Sequence, residues 1–483
     1  MNIGILTPET GFSQDFADVI RLFLGDVAIV QGEGDTTYRH TLSEQDGTWL
    51  DVWQCGQSEY ACHTPVGGRD ELETKRLRKR AAKLALYHLL KQTTGMRPPW
   101  GSLTGIRPTR LMYEALDDGL SLDAAQTRMT ELYDVTPEKA SLLREILEMQ
   151  SGLRQPKQGQ FDLYIGIPFC TTRCAYCSFS SGELGDGSLT EPYVRALLRE
   201  IALCKAMTDD MGLSLRAGYV GGGTPTAISC DQLHRILSAA MEAFPNAVEW
   251  TVEAGRPDTI DREKLKMLAE MRVNRISVNP QSFSDDTLRR IGRAHTGADT
   301  LRAFALAREE GFRHINMDII AALPGETLRD FAHTLDVIEE LNPESVTVHS
   351  LAIKRSSRLH EQLTKDGGHT QVDAAYAGEM IDLARKRLEA HGWMPYYLYR
   401  QKYMAGNLEN VGYAKRGCAC LYNIGNMEET ANVLALGAGA ITKWLFDRQR
   451  RIERAPNVKN IEEYIRRVDE MARRKREILY ADR

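Results

Sequence analysis

The sequence lacks any long uncharged apolar run and any excess of positive charge. No stretch approaches the roughly 20 apolar residues that a membrane-spanning helix needs. The N-terminal MNIGILTPETGF has neither the basic region nor the apolar region of a signal peptide. A net charge of −5 excludes a global basic field for nucleic acid. We therefore predict a cytoplasmic protein with no membrane partner, and we expect no nucleic-acid partner.

Cysteine is present, but not in the pattern of a disulfide framework. The chain has nine cysteines in 483 residues, an odd number in a large protein. Three of them, Cys170, Cys174 and Cys177, fall within eight residues, and such a cluster indicates metal binding or catalysis. The length predicts two or three domains.

Four segments are predicted from the local patterns. Residues 1–95 are predicted as a small α+β domain, with strand-like runs at 27–30 and 49–53 and a helix from about Asp70 to Lys91. Residues 96–155 are predicted as a helical segment that ends in a polar linker with Pro and Gly. A core barrel is expected over 156–370, and a C-terminal α/β region on its substrate side over 371–483.

Strands and helices alternate through the core. The predicted strands are 163–169, 217–223, 248–255, 275–283, 315–324 and 345–353, and the predicted helices are 190–211, 231–244, 261–271, 298–311 and 326–340. Such alternation favours parallel βαβ units. Because six units are visible instead of eight, the prediction is an α/β fold with a partial, open (β/α)6 barrel.

Two of these strands have a polar face. In the third strand Glu249, Thr251 and Glu253 alternate with apolar residues, and in the fifth Asn316 and Asp318 do so. Period-two geometry puts each polar set on one side of its strand. We interpret that side as the lining of a polar lumen, with functional residues at the carboxyl ends of the strands.

The string IPFCTTRCAYCSF (167–179) carries the strongest chemical signal. Its three thiols follow a strand at spacings that suit an iron–sulfur cluster, which cysteine thiolates hold. Three thiolates leave the fourth iron of a cubane open to a small molecule. The alternative is a structural zinc site, which needs a fourth ligand that the sequence does not show nearby.

The spacing C-x-x-x-C-x-aromatic-C after a strand resembles the signature of the radical S-adenosylmethionine (SAM) superfamily. The longer string YIGIPFCTTRCAYCSF is similar to the coproporphyrinogen III dehydrogenase family. The resemblance implies a 4Fe–4S cluster on Cys170, Cys174 and Cys177. It also implies SAM on the open iron, which a single electron cleaves to methionine and a 5′-deoxyadenosyl radical.

The resemblance also implies a set of SAM-binding residues. The loop YVGGGTPT (219–226) resembles the one that contacts the SAM amino group, and Glu253 matches a carboxylate that contacts SAM. Arg293 matches the partner of the SAM carboxylate, and Gln281 and Asp318 match the ribose partners. The full set is Tyr164, Tyr176, Gly222, Gly223, Thr224, Glu253, Gln281, Arg293 and Asp318.

The segments PWGSLTGIRPTRL (99–111) and 410–440 resemble the HemZ-type branch of that family. This implies oxygen-independent oxidative decarboxylation of coproporphyrinogen III to protoporphyrinogen IX in haem biosynthesis. The expected partners are this tetrapyrrole substrate, a reductant such as flavodoxin or ferredoxin, and an electron acceptor.

Two departures from the family keep other functions open. Phe179 takes the place of a fourth cysteine, and Tyr422-Asn423-Ile424-Gly425-Asn426-Met427 takes the place of the histidine-containing motif of the haem-chaperone branch. The alternatives are a haem- or tetrapyrrole-binding protein on the same scaffold, and a radical SAM enzyme with another substrate.

Other features carry weaker expectations. Cys418 and Cys420 are interpreted as a free-thiol loop, and the run KRLRKR (75–80) as a solvated helix face. His349 is either a substrate contact or a core residue. Four cations are expected at the mouth of the barrel, where they would bind substrate carboxylates: Lys354, Arg355, Lys415 and Arg416.

Overall fold

A computed structural model describes residues 2–25, 27–105, 107–178, 181–354, 357–365, 373–401, 408–446 and 451–481. The chain divides into two units, one made mainly of residues 1–144 and the other of residues 145–405 and 409–483. Within the described ranges, no helix has both the length and the apolar character needed to cross a membrane.

The first unit has an α+β fold, as expected. Its elements are β1 (Asn2–Leu6), α1 (Ser13–Leu24), β2 (Ala28–Gln31), β3 (Thr36–Gln45), β4 (Thr48–Cys55), β5 (Ser58–Pro65), α2 (Glu71–Thr94), α3 (Thr109–Asp117) and α4 (Leu122–Tyr133), and α5 (Pro137–Met149) spans the boundary. The strands form one sheet in the order β2-β1-β3-β4-β5. Apolar residues of α1 and α2 pack with Trp53 and Tyr38 of the sheet.

The basic run of α2 is largely neutralised inside this unit. Its cations contact the following partners: Arg76 with Glu114, Arg78 with Asp51 and Glu9, Lys79 with Asp15, and Arg80 with the hydroxyl of Tyr133. The interpretation of the run as a solvated helix face is therefore wrong for Arg78, which is buried, and holds for Arg76, which is exposed.

The second unit contains the strand–helix repeat. Its first part comprises β6 (Gln160–Ile167), β7 (Phe169–Cys170), β8 (Gly182–Glu183), α6 (Thr190–Asp210), β9 (Ser214–Gly222), α7 (Cys230–Ala243), β10 (Glu249–Glu253), α8 (Arg262–Glu270), β11 (Arg275–Ser277), α9 (Asp285–Arg290), α10 (Gly297–Glu309), β12 (His314–Ala321), α11 (Leu328–Leu341) and β13 (Ser345–Ser350). Strands β6, β9, β10, β11, β12 and β13 are neighbours in that order, and all are parallel. The predicted partial (β/α)6 barrel is confirmed.

The C-terminal region extends the same sheet at both edges. Its elements are α12 (Arg358–Lys365), α13 (Ala374–Ala390), β14 (Met394–Tyr399), β15 (Asn410–Ala414), α14 (Leu421–Met427), β16 (Asn432–Leu436), β17 (Ile441–Phe446), β18 (Arg451–Pro456), α15 (Ile461–Arg466) and α16 (Val468–Leu479). Strand β16 pairs parallel with β6, and β17 and β18 follow it antiparallel. At the other edge β15 pairs antiparallel with β13, and β14 with β15. Both edges of the six-stranded core are thus covered.

The polar strand faces turn inward, as predicted from the alternation. Glu253, Asn316 and Asp318 line a large interior cavity, and Thr251 lines a smaller one below it. On the opposite face Val252, Ile315, Met317 and Ile319 are fully buried and Trp250 is nearly so, whereas Val248, just before β10, is exposed. The sheet therefore separates an apolar layer from a polar interior.

One fully buried ion pair joins α6 to α16. The ammonium of Lys475 donates to Glu200 Oε1 at 2.6 Å, and both side chains are completely inaccessible. The other oxygen of Glu200 accepts from the Tyr464 hydroxyl at 2.6 Å and from the Gly437 N–H at 2.8 Å. This carboxylate therefore holds the C-terminal helices and the loop after β16 on the barrel.

Removal of Lys475 should destabilise the second unit strongly. A Lys475→Met variant leaves Glu200 buried without its cation, and breaking a buried pair in this way costs about 3–5 kcal/mol. The matched control is Arg199→Gln, which removes the exposed pair between Arg199 and Asp469 on the same two helices and should leave stability almost unchanged. Urea denaturation followed by circular dichroism measures both variants, and equal losses would contradict the argument.

Candidate functional site

A cavity of about 650 Å3 lies at the carboxyl ends of the parallel strands. Its volume is in the range of ligand-binding sites in proteins. It is lined by all twelve residues that the sequence predicts to bind the cluster or SAM: Tyr164, Cys170, Cys174, Tyr176, Cys177, Gly222, Gly223, Thr224, Glu253, Gln281, Arg293 and Asp318.

The cysteine loop follows β6 and is held from two sides. The N–H of Ala175 donates to the carbonyl of Ile291 at 2.9 Å, and the carbonyl of Ala175 accepts from the N–H of Leu359 at 2.8 Å. Across the described part of the chain, no three ligand side chains are grouped as a single metal ion requires. A cubane cluster differs from a single ion because each thiolate binds a separate iron.

The GGG motif packs directly on the cysteine loop. Gly222 has φ +111°, a conformation that favours glycine. A Cβ at Gly223 would lie 2.6 Å from the carbonyl oxygen of Phe169. The Thr224 N–H donates to that carbonyl at 2.7 Å, and its hydroxyl lies 3.6 Å from the Cys170 sulfur. The motif therefore needs glycine for close backbone approach to the cysteine loop.

Glu253 is a partly buried carboxyl group at the end of β10. The Tyr219 hydroxyl donates to its Oε1 at 2.6 Å, and the Tyr219 ring stacks on Tyr422 with centroids 4.5 Å apart. Burial raises the pKa of Glu253 to about 7, and the neighbouring charge of Asp318 acts in the same direction. The group therefore changes charge near neutral pH.

Asp318 of β12 lies beside Gln281, which follows the end of β11. The carboxylate of Asp318 accepts from the Asn316 side-chain amide at 2.7 Å, and its Oδ2 is 3.8 Å from His349 Nε2. Burial opposes ionisation, but His349 and Asn316 outweigh it and lower the pKa of Asp318. Gln281 has φ +66°, and its N–H donates to the Asp318 carbonyl at 2.9 Å. The pair presents oxygen acceptors to the cavity.

Arg293 places an incompletely paired cation in the wall of the cavity. Its Nη2 donates to the hydroxyl of Tyr176 at 3.1 Å. Its Nε and Nη1 atoms are buried, and no described residue accepts from them. Leaving buried donors unpaired is costly, so the geometry suits an anion that accepts from both.

These features fit a cubane cluster with a bound zwitterionic nucleoside. Three thiols are the ligands that such a cluster takes from protein, with one iron left open. The guanidinium of Arg293 suits a carboxylate, and the acidic groups of Glu253 and Asp318 suit cationic and hydroxyl groups.

Comparison with known proteins agrees with this geometry. Residues 164–338 match the model of the radical SAM superfamily. The chain is 37% identical over 419 residues to the oxygen-independent coproporphyrinogen-III oxidase-like protein HemZ of Bacillus subtilis, a match that covers 84% of this chain and 82% of that protein. It is 32% identical over 280 residues to the heme chaperone HemW of Bacillus subtilis, covering 57% and 69%.

The chain therefore belongs to the radical SAM superfamily and, within it, to the family that contains HemZ and HemW. Its cofactors are a 4Fe–4S cluster and SAM. The structure of the coproporphyrinogen III oxidase HemN from Escherichia coli shares the fold, with a TM-score of 0.53 and 24% identity over 67% of this chain and 72% of that chain.

The match with HemZ also reaches beyond the barrel unit. Since it covers 84% of the chain, it is longer than residues 145–483 and includes part of residues 1–144.

The expected cluster of substrate-binding cations is only partly present. Lys354 lines the cavity. The expectation for Lys415 and Arg416 is wrong, because they follow β15 where it pairs with the start of β13, at the opposite end of the barrel. Lys415 instead donates to the carbonyl of Asn342 at 3.0 Å. Arg355 lies outside the described residues, as does Phe179.

The two C-terminal thiols lie away from the large cavity. The Cys420 thiol is buried and donates to Glu249 Oε1 at 3.1 Å, and the carbonyl of Cys418 accepts from Arg275. Burial raises the pKa of Cys418, and it also raises that of Cys420. Cys420 has a structural contact, and the pKa direction favours the protonated thiol at both positions.

Two tyrosines and an arginine that line the cavity were not predicted from the sequence. Tyr219 faces the cavity beside Tyr164, its register partner, so period-two alternation contains the signal. Tyr422 comes from α14, and Arg256 lies three residues after Glu253. For these two, no sequence pattern predicts the neighbours that they contact.

Loss of the Arg293 fork should weaken SAM binding without removing the cluster. Hydrogen bonds to a charged group contribute about 1.5–3 kcal/mol, so Arg293→Gln should bind SAM roughly 10- to 100-fold more weakly. Arg293→Lys keeps the charge, so its affinity for SAM should lie between those of the wild type and Arg293→Gln. Equilibrium dialysis of reconstituted protein measures the affinity, with Arg289→Gln, an exposed neighbour, as control. Wild-type affinity in Arg293→Gln at equal iron content would contradict the assignment.

The elevated pKa of Glu253 predicts a pH-dependent affinity for cationic SAM. Below pH 7 the free carboxyl group is mostly protonated, so binding that requires the carboxylate must release a proton. Affinity should therefore fall as pH decreases from 8 to 6, by up to about tenfold per unit below the pKa. Calorimetric titrations across this range test it. Glu253→Gln should remove the Glu253 contribution, and an unchanged slope in that variant would exclude Glu253 as its source.

Proposed function

We propose that this chain is a radical SAM oxidoreductase that converts propionate groups of coproporphyrinogen III to vinyl groups without oxygen, giving protoporphyrinogen IX. The observation that carries the proposal is the continuity of one cavity from the SAM-binding residues to a wall built by the C-terminal region. The match with HemZ over most of the chain supports the same substrate class.

The C-terminal wall has the chemistry for a large ring with acidic substituents. Tyr397 and Tyr399 of β14 contribute aromatic faces, and Asn410 and Asn426 contribute amides. Lys354 adds a cation at the same cavity. Tyrosines bind flat apolar ligands, and amides and ammonium groups pair with carboxylates.

When bound, the cluster and SAM supply the one-electron chemistry that removes a hydrogen atom from the β-carbon of a propionate. Arg293 and Glu253 orient SAM, and Asp318 with Gln281 holds its ribose. The tyrosine wall positions the substrate and excludes water. Each propionate loses one hydrogen atom, one CO2 and one electron, so a reductant such as flavodoxin or ferredoxin and an electron acceptor are also needed.

The second candidate is a haem-binding protein on the same scaffold. Its support is the 32% identity to HemW and the presence of His349 in the cavity wall, since histidine is a common haem ligand. Cys418 and Cys420 do not line that cavity. A haem site would therefore use His349 in preference to the thiols.

Anaerobic turnover separates these functions. Reconstituted, reduced protein is given SAM and coproporphyrinogen III, and we expect 5′-deoxyadenosine, CO2 and protoporphyrinogen, all lost in Cys174→Ala. SAM cleavage without a tetrapyrrole product would contradict the proposed substrate but would agree with radical SAM chemistry. No SAM cleavage with an intact cluster, together with haem binding that His349→Ala abolishes, would establish the carrier instead.

A further inference from the structure

The segment that follows Glu253 contains a second set of residues that form hydrogen bonds with the cysteine loop. This segment contains Arg256 and Asp258, just beyond the end of β10. Arg256 is 3% exposed, so its guanidinium is a buried charge. It is not among the residues that the SAM assignment uses, and burial of such a charge requires compensating partners.

The partners of this pair are the two threonines between the first and second cysteines. Arg256 Nη1 donates to the carbonyl of Thr172 at 2.8 Å, and its Nη2 donates to the Thr172 hydroxyl at 2.9 Å. Asp258 accepts from the hydroxyl of Thr171 at 3.1 Å and from Arg256 Nε at 3.1 Å. Three hydrogen bonds thus connect the two loops, and the bond between Arg256 and Asp258 holds the guanidinium and the carboxylate together within their own segment.

The same guanidinium also approaches a cysteine that the cluster requires. Arg256 Nη1 lies 3.8 Å from the sulfur of Cys174, within hydrogen-bonding distance for sulfur. A cluster with three thiolate ligands is an anion, and its negative charge increases by one when it is reduced. Hydrogen bonds and charge near the sulfurs are among the factors that set the potential of such clusters.

We propose that Arg256, held by Asp258, is a positioning residue for the cluster: its planar fork fixes the cysteine loop, and its charge favours the reduced state. The inference concerns the cluster and does not rest on the identity of the substrate. The two parts of the role have separate chemical causes, because the fork depends on guanidinium geometry and the potential depends on charge.

Spectroscopic redox titration of reconstituted protein, without SAM or substrate, tests the charge. At the potential where the wild-type cluster is half reduced, Arg256→Met should have a reduced-to-oxidised ratio about tenfold lower, which equals about 59 mV for one electron. Arg256→Lys keeps the charge and should stay within about threefold of the wild type.

Cluster retention tests the fork. Both Arg256→Lys and Asp258→Asn should release iron to a chelator faster than the wild type, because neither keeps all the hydrogen bonds that Arg256 and Asp258 make with each other and with the two threonines. The matched control is Arg262→Gln. It removes an exposed arginine of α8 that pairs with Glu309 and Glu310, and it should behave as wild type in both assays.

Several results would overturn the proposal. A wild-type potential and wild-type iron retention in Arg256→Met would remove both roles. An equal change of potential in Arg256→Lys and Arg256→Met would show that charge is not the cause. The thermal midpoint of each apo variant is measured alongside. If apo Arg256→Lys and Asp258→Asn unfold early in proportion to their iron loss, the role is general stability and the proposal fails.

Discussion

The position of helix α14 depends on one buried carboxylate, that of Glu249 on the inner face of β10. Its Oε1 accepts from the N–H of Leu421 at 2.9 Å and from the thiol of Cys420 at 3.1 Å. The carboxylate therefore sits at the start of α14, where the helix dipole favours negative charge. Because α14 is held there, Tyr422 reaches the cavity and stacks on Tyr219.

The same strand supplies successive contacts along its length. Glu249 contacts α14 at one end of β10, and Glu253 lines the large cavity at the other. Three residues later Arg256 contacts the cluster loop. This strand and the residues just after it thus contact α14, the large cavity and the cysteine loop. Glu249 and Glu253 share a face because alternate side chains of one strand do so.

Much of the barrel follows from local patterns, and the contacts across it do not. The predicted helix at 190–211 is α6 within one residue, because its apolar spacing is strongly periodic. The nominated residues line one cavity because carboxyl ends of parallel strands share an edge. The contact between Arg256 and Cys174 joins loops 82 residues apart, and no local pattern encodes it. The predicted position of Lys415 is wrong because the antiparallel direction of β15 depends on pairing between residues that are distant in the sequence.

The edge pairing of β6 with β16 has a consequence for the order in which the protein is made. Strand β6 is synthesised some 270 residues before its neighbour, and chains emerge from the ribosome from the N-terminus. Glu200 acquires its cation only when Lys475, 275 residues further along the chain, has emerged. A chain cut before β16 therefore has an unpaired edge at β6, and a chain cut before Lys475 leaves the carboxylate of Glu200 without its cation.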